Sequence, residues 1–384
     1  MAGAGSPRAI LQPGPDDGRI SGNDIRSNAC FADTSAFTRV AHQARPLTMT
    51  AVSLFHPFGD FEQTVEAVNA AEAAGFDGCL FGEHHGAPGN DRPQLLILLA
   101  ALAGRTRRIK LGTSILLSAL ADPVQVAESA AMVDVISGGR LILGLGLGYQ
   151  PQDFRQFGIP FAQRTSRFEE SVQVIRKAFT DERLSFAGKR FRYDDIAVYP
   201  KPIQRPHPPI WLAAWSIPGA ARAGQLGDAY VTDPIQNLRA ITAFNAAYRA
   251  AADRAERPAD VVIMREILCA PTRAEAIDRY ADGLMRTYRY YFANNAFNLD
   301  YEPWAAKVSS AADLTFEMLA QDRVIYGSPA DCLGQLEHWV RTLGASHVQL
   351  TVPYPPAEAT REGQLRQIGY LGEALLPKLQ ALTP

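Results

Sequence analysis

Residues 109–146 decide the fold, and they read IKLGTSILLSALADPVQVAESAAMVDVISGGRLILGLG. The two ends of this stretch, 109–117 and 140–146, are rich in leucine, isoleucine and glycine, which is typical of strands buried on both faces of a parallel sheet. The segment between them, 123–137, has the apolar spacing of a helix. A strand, a helix and a second strand in this order form a βαβ unit, whose two strands run parallel.

The ends of the predicted helix carry recognisable signals. Asp122 precedes it and can cap its free backbone N–H groups, and Pro123 occupies the first helical position, where a missing N–H is tolerated. Gly138 and Gly139 follow it and can adopt the left-handed conformation that ends helices. One apolar stripe is predicted to face the sheet, and its members are Val124, Ala127, Ala131 and Val135.

The same alternation continues along the chain. Further strands are predicted at 51–55, 78–81, 209–213, 229–232, 261–269 and 347–352. Further helices are predicted at 61–75, 93–104, 163–179, 218–226, 235–255, 272–290 with 328–343, and 361–380. Eight strand–helix units close naturally into a (β/α)₈ TIM barrel, an α/β fold, with an open doubly wound sheet as the competing architecture. Two insertions are predicted, a hairpin at 183–208 and an aromatic, asparagine-rich segment at 291–325.

Composition excludes several classes of protein. The 384 residues are 47% apolar and 20% charged with a formal net charge of −2, so the chain lacks the basic surplus of a dedicated nucleic-acid binder. The longest apolar run, Leu95 to Ala103, is half the length that a membrane span needs. The four cysteines lie far apart and form no CxxC pair, which predicts reduced thiols in a cytoplasmic protein and no structural zinc.

Residues 1–48 differ from the rest of the chain. They contain arginine and aspartate but no lysine or glutamate, and none of their sequence has the period of a helix or a strand. They also lack the apolar segment of a signal peptide. We therefore predict a disordered or loosely docked extension over 1–48 and a barrel domain over 49–384. The alternative is an arm that holds another domain or subunit.

Chemistry in a (β/α)₈ barrel belongs to the loops after the carboxyl ends of the strands, and the loop after 78–81 contains Glu83, His84 and His85. An imidazole works as a general base near neutral pH, and a neighbouring carboxylate can orient it. Successive side chains of an extended chain point in opposite directions, so the two histidines are poorly placed to share one metal ion. The motif predicts an acid–base site, with a hydrogen-bonded structural pair as the alternative.

Two other strand ends have unusual residues. Gly144, Gly146 and Gly148 alternate along and just beyond the fourth strand, where missing side chains would let a planar cofactor approach the backbone, or would simply relieve crowding inside the barrel. After 209–213, Ser216 and Pro218 begin a helix whose free N–H groups can bind a phosphate, or need no ligand if Ser216 is an ordinary cap. Phosphate sites late in the barrel are common in this fold.

Taken together, these motifs resemble the bacterial luciferase-like monooxygenases over most of the chain after residue 50. The matching segments are Glu83–His85, Leu111–Leu117, Asp122–Val124, Ser137–Leu141, Asp153–Gly158, Gly327–Asp331 and Ser346–Leu350. The resemblance implies a flavin of the FMN type across the carboxyl-terminal mouth of the barrel. It identifies the superfamily and leaves the substrate open, and most such relatives emit no light.

Carried over residue by residue, the resemblance implies a role for several positions. His84 takes the place of the luciferase catalytic base, with Glu83 and His85 beside it. The bond between Ser114 and Ile115 takes the place of the family's non-prolyl cis peptide next to the flavin ring. The remaining positions, implied to bind the flavin, are Tyr149, Gln150, Trp215, Ser216 and Gly219.

The chain also departs from luciferase. Gly146 stands at its reactive cysteine, Leu147 at a phosphate-contacting arginine, and Trp215 at a phosphate-site glutamate. The flavin phosphate must therefore be bound by backbone N–H groups or by other cations, for which Arg164 and Arg167 are the candidates.

The resemblance implies an enzyme that uses reduced FMN and O₂ to oxygenate a small organic substrate. Because no GxGxxG fingerprint follows a strand, we expect a separate NAD(P)H:flavin reductase to supply the reduced FMN as a diffusible co-substrate. The alternative is a deazaflavin-dependent hydride-transfer oxidoreductase on the same barrel. A flavin-binding relative without chemistry is a third hypothesis, against which the retained Glu83–His85 motif argues.

Two further expectations concern a lid over the mouth of the barrel and the association of two chains. The aromatic segment from Tyr288 to Trp304 is predicted to close the mouth as a lid, or to pack as a plain insertion. Luciferase-like proteins pair the helices of their second and third units across a two-fold axis, and here 93–103 is apolar nearly all round. We therefore expect a homodimer, unless 1–48 or 291–325 covers this helix. Small residues on the next helix are expected to allow close approach of the partner: Ala127, Ser129, Ala130 and Ala131.

Overall fold

The computed structural model describes residues 50–57, 59–86, 93–355 and 359–384. Its strands are β1 (Ala51–Phe55), β2 (Gly78–Phe81), β3 (Lys110–Leu116), β4 (Leu141–Leu145), β5 (Leu184–Ala187), β6 (Arg192–Ile196), β7 (Ile210–Ala213), β8 (Ala229–Val231), β9 (Asp260–Cys269), β10 (Ile325–Gly327) and β11 (His347–Thr351). Eight of them pair in parallel in the closed order β1-β2-β3-β4-β7-β8-β9-β11 and back to β1. The predicted (β/α)₈ barrel is confirmed.

Helices surround this barrel. They are α1 (Phe61–Ala74), α2 (Leu95–Ala103), α3 (Pro123–Ser137), α4 (Pro151–Gln156), α5 (Arg164–Thr180), α6 (Ile217–Leu226), α7 (Leu238–Arg254), α8 (Arg273–Ala293), α9 (Phe316–Ala320), α10 (Pro329–Leu343), α11 (Arg361–Ala374) and α12 (Leu376–Gln380). In the part of the chain that the structure describes, no helix has the length and apolar character needed to cross a membrane.

Every predicted strand overlaps one barrel strand, and the hairpin predicted within 183–208 is the antiparallel pair β5–β6. The sequence prediction missed three labelled elements. The short helix α4 follows β4, the short helix α9 lies within the 291–325 insertion, and β10 pairs with the far end of β9 beside the barrel. The predicted helix 361–380 is two helices, because the chain breaks at Leu375 just before the proline in the first turn of α12. The predicted extension over 1–48 lies outside the described residues.

The predicted caps of α3 are present, but its buried face is shifted. Asp122 accepts hydrogen bonds from the N–H groups of Val124 and Gln125, and Gly138 ends the helix with a φ of 70°. Ala127 and Ala131 are buried as predicted, whereas Val135 is 38% exposed. The centre of the buried face includes Asp134, whose carboxylate accepts N–H groups from residues 203 and 204 of the hairpin exit. The apolar stripe predicted the buried face incorrectly because a polar residue, Asp134, is part of that face.

Side chains fill the interior of the barrel and leave space at one end. Leu80, Ile142, Trp211, Val231 and Val262 pack together inside it, contributed by five different strands. Open volume therefore remains at the carboxyl-terminal mouth, where the loops after the strands form the walls.

Candidate active site

A cavity of about 370 Å³ opens at the carboxyl-terminal mouth, within the usual range of small-molecule sites. Loops after β2, β3, β4, β7 and β8 form its walls, together with α5 and α8. The predicted site residues that border it are Glu83, His84, Ser114, Ile115, Tyr149, Trp215, Ser216 and Gly219. Three others, His85, Gly146 and Gln150, are not among its lining residues.

The two histidines after β2 point in different directions, as predicted. His84 borders the cavity, while His85 is buried with its ring edge-on to Phe157, at 4.7 Å between ring centroids. The Nε2 atom of His85 lies 2.8 Å from Oε1 of Glu83. The second oxygen of Glu83 accepts the N–H of Leu117 at 2.5 Å. Glu83 and His85 therefore form the hydrogen-bonded pair given above as the alternative, and His84 is the histidine that presents its imidazole to the cavity.

Asp153 also belongs to the candidate site. It is part of the Asp153–Gly158 motif named above, but the sequence did not predict a role for it. It lies in the first turn of α4, borders the cavity and is 1% exposed. Burial lowers the pKa of His84, and the charges of Asp153 and Glu83 oppose that effect. Burial likewise raises the pKa of Asp153, whose carboxylate is stabilised by the nearby histidines. An acid in the first turn after a strand end was the signal that could have identified it.

The wall between the β2 and β4 loops is built from β3. The Ser114–Ile115 peptide bond is cis, as the resemblance implied. The pairing of β3 with β4 shifts register between Thr113 and Leu116, so one extra residue of β3 is accommodated at this bond. The Oγ atom of Ser114 donates to Oε1 of Gln349 at 2.9 Å, which ties this wall to β11.

The glycines after β4 do not open directly onto the cavity. A Cβ atom on Gly146 would lie 1.5 Å from Cδ1 of Ile115, and one on Gly144 would lie 2.1 Å from the carbonyl oxygen of Thr113. Their missing side chains therefore make room for β3, which corrects the interpretation that Gly146 leaves space for a ligand. Gly146 acts on the cavity through Ile115, which borders it. Gln150 is also removed from the cavity, and its Nε2 donates to Oη of Tyr149 at 2.9 Å.

The predicted phosphate turn begins α6. Ser216 caps this helix, and its Oγ accepts the N–H of Gly219 at 3.3 Å. Arg222, one turn further along the same helix, borders the cavity, and its Nε donates to Oε1 of Glu169 at 2.6 Å. Sequence reasoning missed Arg222, although its spacing of three residues from Gly219 places both on one helix face.

The two candidate cations of the sequence analysis differ. Arg164 borders the cavity and lies over the Phe161 ring at 4.0 Å from its centroid. Arg167 is not among the lining residues, and its Nε donates to the carbonyl oxygen of Ala119 at 2.7 Å. Among the described residues, the arginines that border the cavity are therefore Arg164 and Arg222 rather than Arg164 and Arg167.

Aromatic rings connect His84 with the residue that precedes the N-cap of α6. The rings of His84 and Tyr149 lie 6.4 Å apart, and those of Tyr149 and Trp215 lie 4.8 Å apart, both edge-to-face. The carbonyl oxygen of Trp215 accepts a hydrogen bond from Asn298 of the 291–325 insertion. The rings of Tyr149 and Trp215 therefore form one aromatic wall of the cavity that His84 also borders.

The 291–325 insertion forms part of the cavity wall. Tyr291 borders the cavity, whereas Phe297 and Trp304 are buried in an apolar cluster together with Tyr288 of α8. A buried ion pair between Glu302 and Arg323 joins two parts of the insertion. The segment therefore packs as an insertion in this structure, and its closure over the mouth as a lid stays a prediction.

Comparison with known proteins agrees with this geometry. The chain is 28% identical over 289 residues to 4-hydroxyprotoasukamycin monooxygenase of Streptomyces nodosus subsp. asukaensis, covering 73% of this chain and 79% of that protein. It is 26% identical to the F420-dependent glucose-6-phosphate dehydrogenase of Amycolatopsis mediterranei, covering 83% of this chain and 94% of that protein. The crystal structure of monooxygenase RslO1 from Streptomyces bottropensis superposes with a TM-score of 0.71 at 24% identity, covering 85% of this chain and 99% of that one. The family model of the luciferase-like monooxygenases matches residues 34–347, and the chain belongs to this family.

Proposed function

We propose that this chain is a flavin-dependent monooxygenase that uses reduced FMN and O₂ to oxygenate a small organic substrate. The observation that carries the proposal is the single cavity that both His84 and the turn at the start of α6 border. An acid–base group and a phosphate-type turn that border one cavity suit a planar, phosphorylated cofactor. Reduced FMN, when bound, supplies the electrons that activate O₂.

The residues around the N-terminus of α6 fit a phosphate group. The N-terminus of α6 carries a partial positive charge, and Arg164 and Arg222 add two guanidinium groups that border the same cavity. Ser216 and Gly219 would hold the phosphate at the turn, and Ser114 with Ile115 would hold the ring end against β3. The mostly apolar walls between these ends would exclude water from the reacting atoms.

His84 supplies the acid–base chemistry of the proposed reaction. Burial holds the pKa of its imidazole below the ordinary value of 6.5. A neutral imidazole therefore predominates at pH 7, and one of its ring nitrogens can accept a proton from a ligand in the cavity. Glu83 and His85 support it by fixing the loop on either side.

This assignment predicts the pH dependence of the reaction. If His84 must be neutral to accept a proton, kcat/KM rises with pH through the pKa of His84 and is level above it. Because that pKa is lowered from 6.5, the midpoint of the acid limb should lie below pH 6.5. A profile of kcat/KM between pH 4.5 and 9 with reduced FMN measures it, and a midpoint above 6.5 would contradict the assignment.

A cofactor comparison tests the proposed function as a whole. We expect photoreduced FMN to bind, to consume O₂ and to yield an oxygenated product in a substrate screen. Reduced FMN supplied by a separate NAD(P)H:flavin reductase should give the same product as photoreduced FMN. The relative from Amycolatopsis suggests the competing outcome, in which deazaflavin F420 binds and transfers hydride without consuming O₂. That outcome would replace the proposed monooxygenase by a deazaflavin-dependent oxidoreductase.

We also propose that the chain forms a homodimer through α2 and α3. Ile97 on α2 is 69% exposed, and Met132 and Ile136 on α3 are 44% and 47% exposed, so the two helices in contact present an apolar surface to solvent. The alanines expected to approach the partner are instead buried on the inner face of α3: Ala127, Ala130 and Ala131. Ser129 is exposed on the outer face with the larger apolar residues.

Sedimentation tests this interface. The wild-type chain should sediment at about twice 41.8 kDa at micromolar concentration. A double variant, Ile97→Glu with Ile136→Glu, should sediment as a monomer, because two carboxylates would then be buried without partners. The control is Leu299→Glu on the insertion, a leucine that is 46% exposed and so matches Ile136, and this variant should leave the dimer intact. A monomeric wild-type protein would refute the proposal.

A further inference from the structure

Tyr291, near the end of α8, has a hydroxyl group without a hydrogen-bond partner. The residue is half-buried and borders the cavity. No group of the described residues forms a hydrogen bond with this hydroxyl, and its Oη atom is open to a water-sized molecule rather than enclosed by protein. A phenol hydroxyl in this position can donate a hydrogen bond to a molecule that occupies the cavity.

The fully buried tyrosines of the chain differ from Tyr291 in this respect. Among the described residues, four tyrosines have no exposed surface, and the hydroxyl of each has a protein oxygen between 2.8 and 3.1 Å away: Tyr230, Tyr248, Tyr280 and Tyr288. A buried tyrosine hydroxyl usually finds such a partner. The hydroxyl of Tyr291 is therefore the one that a ligand in the cavity can satisfy.

The ring of Tyr291 is held in place by its neighbours. It packs edge-on against Tyr288, at 5.8 Å between ring centroids and an interplanar angle of 73°. Tyr288 is itself fixed, because its hydroxyl lies 2.9 Å both from the carbonyl oxygen of Pro234 and from Oε2 of Glu266. The carbonyl oxygen of Tyr291 accepts the N–H of Ala296 at 3.0 Å. The hydroxyl is thus presented from a fixed position, which lowers the cost of ordering it on a ligand.

The hydroxyl of Tyr291 keeps its proton at neutral pH. Burial raises the pKa of this phenol above the ordinary value of 10, and the charge of Glu266 adds to the effect. A tyrosine donates a hydrogen bond only while it carries this proton. Tyr291 is therefore a donor, and the complementary group on a ligand is an oxygen atom that accepts, such as a carbonyl oxygen.

Tyr291 lies on the side of the cavity that the proposed flavin contacts leave open. Those contacts come from the loops after β2, β3, β4 and β7, which are consecutive in the barrel. The next two strands in the barrel are β8 and β9, and their cavity residues include Thr232, Asp233 and Met264. The helix α8 that carries Tyr291 packs against β9. The β8–β9 side of the cavity is therefore available to a second molecule.

We propose that Tyr291 is a specificity-determining residue that donates a hydrogen bond to a carbonyl oxygen of the organic substrate. This inference rests on the proposed function, which assigns the flavin to the β2–β7 side of the cavity and leaves the β8–β9 side to the substrate. Tyr291 selects carbonyl compounds over hydrocarbons of the same shape, because only the carbonyl oxygen can accept its proton.

The test compares two small probes that differ at this oxygen, acetophenone and ethylbenzene, in the protein without cofactor. Binding is followed by NMR through the ¹³C-labelled methyl group of Met264, which borders the cavity and is assigned by its loss in Met264→Leu. Tyr291→Phe removes only the hydroxyl. We expect the affinity for acetophenone to fall about three- to tenfold, the usual net effect of one hydrogen bond. The affinity for ethylbenzene should not change.

The matched control is Tyr290→Phe, which removes the hydroxyl of the preceding residue. Tyr290 is 52% exposed and is not among the lining residues, so both affinities should stay at their wild-type values. An unchanged affinity for acetophenone in Tyr291→Phe would overturn the proposal. An equal loss for both probes would do the same, because it would show a change in the shape of the cavity rather than a lost hydrogen bond. A wild-type protein that binds neither probe would also overturn it.

A second measurement uses the wild-type protein and covers the case in which Tyr291→Phe does not fold. The infrared carbonyl stretch of bound acetophenone should lie at lower frequency than in an apolar solvent, because a hydrogen bond weakens the C=O bond. A stretch at the apolar-solvent frequency would contradict the proposal.

Addition of oxidised FMN separates this inference from the proposed function. Acetophenone should still bind beside FMN, since the two molecules contact different sides of the cavity. If FMN displaces acetophenone, Tyr291 belongs to the flavin site and the inference is wrong. If FMN does not bind while the difference between the probes is as expected, the proposed function fails and the preference of Tyr291 for a carbonyl oxygen stands.

Discussion

Replacement of His84 by alanine is expected to lower turnover about 10²- to 10⁴-fold, the usual effect of losing a general acid–base group. Alanine removes the imidazole that borders the cavity and leaves its neighbours in place, since Glu83 is held by Leu117 and His85. The residues expected to hold the FMN phosphate, Ser216 and Gly219, belong to the turn that begins α6 and not to the His84 loop. FMN affinity should therefore stay within about tenfold of the wild-type value.

Single-turnover kinetics with photoreduced FMN, together with a separate FMN titration, measure the two quantities independently. The matched control is His85→Asn, which removes the buried imidazole and can keep a hydrogen bond to Glu83. We expect this control to lose less activity than His84→Ala, because His85 does not border the cavity. Wild-type turnover in His84→Ala would exclude His84 as the acid–base group.

The architecture was predictable from the sequence because strand and helix periods are local signals. Each βα unit repeats an apolar strand and a capped helix, and closure follows from their number. The cap residues Asp122 and Gly138 act as the sequence implied. The positions of His84 and His85 on opposite sides of the loop also follow from the extended geometry of the chain.

Long side chains and buried polar groups were less predictable. Arg164 and Arg167 are three residues apart on α5, yet one borders the cavity and the other bonds a backbone carbonyl oxygen. Which of them reaches the site depends on contacts with distant residues, such as those of Arg167 with Ala119 and with Phe191 of the β5–β6 hairpin loop, that local sequence does not indicate. Asp153 was similarly hidden, because the short helix α4 that carries it has too few residues to show a period.

For the glycines after β4, the sequence predicted the positions correctly but did not decide why side chains are missing there. Alternation along a strand correctly predicted that Gly144 and Gly146 need to lack side chains. It could not tell whether the vacated space belongs to a ligand or to a neighbouring strand. In the structure that space is filled by Thr113 and Ile115 of β3, so the effect of substituting Gly146 must pass through Ile115.

Gly146→Val is expected to lower FMN affinity at least about a hundredfold, equal to about 2.8 kcal/mol of binding free energy. The added Cβ would lie 1.5 Å from Cδ1 and 2.8 Å from Cγ1 of Ile115, so the isoleucine side chain must move. Ile115 borders the cavity, which is the open volume beside it, and the displaced side chain should enter the space proposed for the flavin ring. Overpacking of this kind costs about 1–3 kcal/mol of folding stability, so the barrel should remain folded.

A compensating variant decides whether Ile115 transmits the effect. In Gly146→Val with Ile115→Ala, the alanine removes Cδ1 and Cγ1, the two atoms nearest the added Cβ, and leaves only its own Cβ at 3.3 Å. FMN affinity should therefore recover most of the loss. Ile115→Ala alone supplies the matched control, and the four proteins together form a double-mutant cycle. Fluorescence titration with FMN gives the affinities, and thermal unfolding checks the fold of each variant. If the double variant binds FMN no better than Gly146→Val, the clash with Ile115 is not the cause of the loss. If Gly146→Val binds FMN like the wild type, the cavity wall at Ile115 is not part of the flavin site.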